Sequence, residues 1–152
     1  MRRLMYLTLV LAACGGDDGT DPDDIVNCDL EPNLDEFTVG LEKTGIGGKL
    51  TFGLVSATPA QPARYDNTWV IRVTDAMTNA PVENATMYVT PFMPPPHNHG
   101  TPVDPEVTAM PTAGEYEVDP VNLSMPAVWE VTFEVEAPVV DEVVFRVCVP
   151  AS

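Results

Sequence analysis

Apolar and polar residues alternate along most of this chain, and the alternation predicts strands. The clearest stretch is WEVTFEVEA, where Trp129, Val131, Phe133 and Val135 fall on one side and Glu130, Thr132, Glu134 and Glu136 on the other. Side chains of a strand point alternately to its two faces, so this is a strand with one face on a core and one in water. Pro138 and Asp141 mark a turn, and DEVVFRVCVP then sets Val143, Phe145, Val147 and Val149 on one face, with Arg146 and Cys148 opposite. The two strands are expected to form a C-terminal hairpin. Upstream, KLTFGLVSATP alternates through Leu50, Phe52 and Leu54, and TWVIRVTD through Trp69, Ile71 and Val73. TMYVTPFM, a short strand in GEYEV and a stretch from Phe37 to Leu41 complete the set.

No sustained helical period is present, and sixteen prolines spread along the chain leave little room for one. About seven short strands separated by turns predict an all-β fold, an immunoglobulin-like antiparallel β-sandwich over residues 34–152. No internal repeat points to a propeller or solenoid.

The N-terminus departs from this pattern. MRRLMYLTLVLAAC begins with two arginines and continues with an apolar run from Leu4 to Ala13. The run falls short of the roughly 20 residues a spanning helix needs and reads as an export signal over residues 1–13. Leu11-Ala12-Ala13-Cys14 resembles a bacterial lipobox, which implies acylation of Cys14 and a lipid anchor in the membrane. The residue after the cysteine is Gly15, which favours an outer-membrane destination in the cell envelope. The Gly-, Asp- and Pro-rich stretch that follows reads as a flexible acidic tether, with the lipidated cysteine and tether together spanning residues 14–33. Its aspartates do not match the spacing of a calcium-binding loop.

The formal charge is -16. Removal of the signal leaves 5 basic against 23 acidic residues, or -18. Such a surface is soluble and excludes nucleic acid as a partner, since phosphate binding needs a basic face. About 125 residues beyond the tether suffice for one domain with a core. With Cys14 lipidated, Cys28 and Cys148 remain as a pair. In an exported protein they are expected to form a disulfide joining the two ends of the domain. Closing so long a loop is worth about 4–5 kcal/mol in the entropic account of cross-links. The alternative, cysteines as metal ligands, lacks a neighbouring ligand at either position.

The chain has no G-x-S-x-G and no H-E-x-x-H, and nothing marks a carboxylate pair, so no enzyme is expected. TGIGGK has the wrong glycine spacing for a phosphate loop and reads as a turn. One segment carries candidate chemistry. FMPPPHNHGT, Phe92 to Thr101, holds both histidines of the chain. In extended backbone His97 and His99 would project to the same side and could grip one metal ion. Imidazole suits copper, zinc and nickel, and thioether sulfur selects Cu(I). Met93 precedes the histidines, and Met110 and Met125 each stand before a proline. The plain alternative is a polar loop with core methionines.

From about Leu50 to Glu136 the sequence resembles the YtkA-like domain, related to FixH-type proteins. The resemblance lies in the order of Met93-Pro94, His97-x-His99-Gly100, Tyr116, Met125-Pro126 and Trp129. It implies an immunoglobulin-like sandwich in the cell envelope, with a role in copper handling or cytochrome oxidase assembly. Carried over by position, the implied ligands are Met93, His97, His99 and Met125, with Met110 a weaker candidate. Many members have another methionine between Met-Pro and His. Pro95 and Pro96 fill that space here, which leaves room for Cu(II) on the histidines as well as Cu(I). Two readings therefore stand: a lipid-anchored module that binds copper, and a metal-free structural or interaction module of the envelope that contacts another protein or a surface polymer.

Overall fold

A computed structural model describes residues 26–151. The expected signal, Cys14 with its expected lipidation, and most of the expected tether lie outside the described residues. Nine strands are present among them: β1 (Glu42–Thr44), β2 (Leu50–Thr58), β3 (Tyr65–Asp75), β4 (Thr86–Met93), β5 (His99–Gly100), β6 (Glu106–Ala109), β7 (Glu115–Leu123), β8 (Ala127–Ala137) and β9 (Asp141–Val149). No α-helix occurs among the described residues, and a single 3-10 turn covers Cys28–Leu30.

The strands form two antiparallel sheets, ordered β1-β2-β3-β7-β6 and β5-β4-β8-β9. With β1 set aside, strands β2, β3, β7 and β6 occupy the A, B, E and D places of an immunoglobulin sandwich. Strands β4, β8 and β9 take the C, F and G places, and β5 the C′ place. The expected fold class is thus observed. The strand count exceeds the expected seven because β1, β5 and β6 are two to four residues long. Pieces that short carry too few residues for alternation to show.

The core sits between the sheets. Trp69, Ile71 and Val73 of β3 meet Trp129, Val131, Phe133 and Val135 of β8, all fully buried. Phe133 stands 5.1 Å from Phe145 and 6.3 Å from Trp69, between centroids. Fully burying each such side chain contributes roughly 1.5–3 kcal/mol. The β8–β9 hairpin pairs in continuous register from Ala127↔Val149 to Val135↔Asp141, and its outer face carries Arg146 and Cys148 as expected.

The segment from Phe37 to Leu41 is not a strand. Leu41 donates to the Thr38 carbonyl at 2.9 Å and Thr38 to that of Glu36 at 2.8 Å, so this backbone turns. Phe37 is still buried, its ring 4.7 Å from Trp69. Its burial comes from capping the core, and β1 begins only at Glu42.

The expected disulfide is present. Cys28 and Cys148 are joined across 120 residues with their Cα atoms 5.6 Å apart. Residues 26–33, the last part of the sequence assigned to the tether, form a strap beside β9. The strap is anchored just beyond its end, where Asp35 N–H donates to the Arg146 carbonyl at 2.8 Å and the Asp35 carboxylate accepts from Arg146 N–H at 2.7 Å.

Candidate metal centre

The antiparallel register of β4 and β8 sets Phe92 opposite Glu130. The end of β4 therefore lies beside the start of β8, and the β7–β8 turn carries Met125 two residues before that start. All four candidate ligands consequently sit at one end of the sandwich. Met93 closes β4, His97 lies in the following turn, His99 opens β5, and Met125 stands in the turn before β8. Met110 does not join them. It follows β6 at the opposite end, where its N–H donates to the Glu115 carbonyl at 2.9 Å.

The backbone between the two histidines is not extended. The expectation of extended backbone from His97 to His99 fails, because Asn98 has φ 54° and its N–H reaches back to the Pro94 carbonyl at 3.4 Å. The chain turns through Pro95, Pro96 and His97, so the two-residue strand period does not apply across it. His97 is half-buried and lines a shallow hollow with the proline run, Val128 and Arg146. His99 is exposed, its Nδ1 lying 3.1 Å from the Gly100 carbonyl oxygen.

A different pairing appears instead. His99 is the register partner of Met93. Residues directly opposite on paired strands share a sheet face. Met93 belongs to the inward set Met87, Val89, Pro91 and Met93, and is 0 % exposed. The exposed His99 thus stands at the rim above a buried thioether.

Met125 is 38 % exposed, and its turn is held from two sides. The Trp129 indole Nε1–H donates to the Met125 carbonyl at 3.0 Å, and Arg64 Nε–H donates to the Ser124 carbonyl at 3.0 Å. Beyond β5, Thr101 Oγ1 lies 3.5 Å from Asn122 Oδ1 and links this rim to β7. Reading the sequence from the residues alone identifies none of these supporting contacts, since Arg64, Asn122 and Thr101 carry no local signal. Alternation marks Trp129 only as a core residue, and the family resemblance alone sets it beside Met125-Pro126.

The donor set is soft, two thioethers and two imidazoles, and suits copper better than calcium or magnesium. Among the described residues no group of three or more His, Cys, Asp or Glu side chains is gathered closely enough to hold a metal ion. Any metal at this rim would thus depend on methionine sulfur and on movement of the histidine-bearing turn.

Of the other residues carrying the resemblance, Tyr116 is structural. At the opposite end its hydroxyl donates to the Val82 carbonyl at 2.7 Å and accepts from Ala85 N–H at 2.8 Å. No curated protein and no solved structure matches the chain. The model of the YtkA-like family matches residues 48–134, more than half of the chain and the whole of β2 through most of β8. That span takes in Met93, His97, His99 and Met125, and the chain belongs to the YtkA-like family.

Proposed function

We propose that this protein is a lipid-anchored module of the bacterial cell envelope that binds copper at its Met/His rim, for copper handling or oxidase assembly. Cys14 is the lipid attachment point and the outer membrane the expected destination. The chain acts as a binder and not as an enzyme. The observation that carries this reading is the register that sets His99 against Met93 at the same end as the exposed Met125. Thioethers at that end favour Cu(I), and the histidines add affinity for Cu(II). The turn from Pro94 to Asn98, rather than the core strands, supplies the movement needed to bring His97 in.

The test is isothermal titration with Cu(II), and with Cu(I) under anaerobic reducing conditions, beside a His97→Ala/His99→Ala variant. One-to-one binding tighter than about micromolar (roughly 8 kcal/mol) that is lost in the variant is the expected result. Affinity unchanged in the variant would end this reading.

A second reading has its own observation. At the opposite end Ile46 is 77 % and Val140 61 % exposed, and with Glu134 and Glu142 they line a hollow of about 220 Å³. Exposed apolar side chains gathered at one place mark contact surfaces. A metal-free module that contacts another envelope protein through this end would leave the copper titrations blank.

A further inference from the structure

Each sheet has two edges, and an edge strand turns half of its backbone N–H and C=O groups away from its neighbour. Three of the four edges are guarded. Along β9, the N–H groups of Asp35 and Ile46 donate to the carbonyls of Arg146 and Glu142 at 2.8 Å, and Lys43 Nζ donates to that of Val144 at 2.6 Å. Strand β1 has three residues and carries Glu42 and Lys43, and β6 has four and opens on Glu106. The fourth edge is β4, whose neighbour β5 covers only Phe92 and Met93.

Pro91 fixes which groups face out. Without an N–H it cannot share a hydrogen-bonded pair with Val131, its register partner. Pro91 therefore turns its backbone away from β8, and the alternation turns that of Val89 and Met87 the same way. Among the described residues no strand pairs with this side of Met87 or Val89, and no other hydrogen bond meets their backbone. The open window has two ends. Gly100 lies so close to the Pro91 carbonyl oxygen that a Cβ there would stand 3.5 Å from it. At the other end Asn84 has φ 55° and Ala85 N–H donates to the Tyr116 hydroxyl of the opposite sheet at 2.8 Å, so the chain enters the edge only at Thr86. The window, Thr86 to Thr90, carries no charge. Between Glu83 and Asp104 there is no Asp, Glu, Lys or Arg, in a chain with 23 acidic residues. Thr86, Tyr88 and Thr90 are exposed, Tyr88 to 53 %. Charge is a common guard against strand addition, and this edge lacks it.

We propose that two copies of this chain pair antiparallel along β4, from Thr86 to Thr90, with Tyr88 of one copy opposite Tyr88 of the other. In that register Met87 faces Val89 of the second copy and Val89 faces Met87. All four outward N–H groups, two from each copy, then find a carbonyl. Tyr88 meets Tyr88 and Thr86 meets Thr90, the aromatic and threonine pairs that stabilise neighbouring strands. The contact is the same on both sides, as a two-fold dimer requires. Copies that each carry a charge of -16 repel across most of their surface. Here the carboxylate in the row of Tyr88 is Glu134, its register partner on the β8 side. The two Glu134 positions would stand three strand spacings apart, about 14 Å, beyond the screening length of about 8 Å at physiological salt. The seam uses the middle of β4 and does not depend on the copper reading.

The test uses the full chain carrying Cys14→Ser, so that its remaining cysteines are those of the disulfide. Sedimentation equilibrium up to submillimolar protein, at physiological salt, should show monomer and dimer in exchange. Tyr88→Lys sets two cations against each other on the two-fold axis and should weaken association at least tenfold. Tyr88→Phe keeps the ring and should stay near the parent. Register is read by mild oxidation of variants with one added cysteine. Tyr88→Cys should give a covalent dimer, because opposite residues of this kind of pair stand about 4.5 Å apart at Cα, within disulfide reach. Thr90→Cys should not, since the two copies of that position lie four residues, about 13 Å, out of register. Both positions are exposed, so the variants keep the fold, which near-ultraviolet circular dichroism of the tryptophans checks. A monomer at every concentration would overturn the proposal and leave this edge to an extended segment of a different protein. Association that survives Tyr88→Lys, or cross-linking at Thr90→Cys as fast as at Tyr88→Cys, would overturn it as well.

Discussion

Asp141, at the start of β9, accepts a hydrogen bond from the backbone N–H of Gly47 at 2.7 Å, 94 residues earlier in the chain. The same carboxylate accepts from the N–H groups of Lys49, Leu50 and Glu142, each at 2.9 Å, and so locks the β1–β2 turn to the other sheet. Burial pushes this carboxyl up, but the donors at Leu50, Lys49, Gly47 and Glu142 together hold it below its ordinary value of 3.8. A carboxylate lowered in the folded state adds stability that is fully present above that value and is lost as pH falls through the lower, folded one. Asp141→Asn should destabilise the protein by about 1–3 kcal/mol at pH 7, since the amide accepts less well. Urea unfolding at pH 7 and below pH 3 checks this: the gap between parent and variant should shrink in acid. An equal gap at both pH values would contradict it.

Gly45 has no room for a side chain. A Cβ there would lie within 2.6 Å of three atoms of the Asp141 carboxylate, which four backbone donors hold in place. Gly45→Ala should cost about 3 kcal/mol through overpacking and loss of that clamp. Gly53 is the control, since a Cβ there meets first the flexible Glu42 side chain at 3.4 Å. Thermal melts should show Gly53→Ala near the parent and Gly45→Ala far below it.

Asn67 is 1 % exposed and organises the loop before β3. Its Oδ1 accepts from Ala63 N–H at 2.9 Å, and its amide donates to the carbonyls of Ala63, Tyr65 and Val121 at 2.9, 2.8 and 3.1 Å. These bonds hold Tyr65 at φ 74°, a conformation an L-residue adopts at a cost. Asn67→Asp would set a carboxylate against three carbonyl oxygens. It should destabilise by about 3 kcal/mol, measured by equilibrium unfolding at neutral pH.

The two rim methionines differ in exposure, and their variants should differ in kind. Met93→Leu conserves volume in the core and should change stability by less than about 1.5 kcal/mol. Met125→Leu touches an exposed side chain, so stability should hold while Cu(I) affinity falls about tenfold, or roughly 1.4 kcal/mol. Paired melts and Cu(I) titrations separate these effects. A Met125→Leu variant with parental Cu(I) affinity would take this sulfur out of the site.

Much of the sandwich is legible from local pattern. WEVTFEVEA and DEVVFRVCVP predict β8, β9 and their hairpin because strand period is a two-residue property that needs no partner to be seen. The three residues of β1, the two of β5 and the four of β6 are strands only because β2, β4 and β7 pair with them. TGIGGK reads correctly as a turn, yet its role as the Asp141 cradle cannot be read locally, since the partner lies more than 90 residues away. The site is legible in its residue types and misread in its geometry. His97-x-His99 suggests a same-side pair, and the positive φ of Asn98 turns the chain between them.

The sequence by itself determined the strand faces, the cysteine pairing and the soft character of the candidate donors, because side-chain alternation, cysteine count and ligand chemistry are properties of residues and near neighbours. Only the tertiary structure decided that His99 opposes Met93, that Met110 sits at the far end, and that Val26 and Glu31 of the disulfide-held strap line the hollow beside His97. Those relations follow from register and sheet order, which are set by which strands pair across the whole fold.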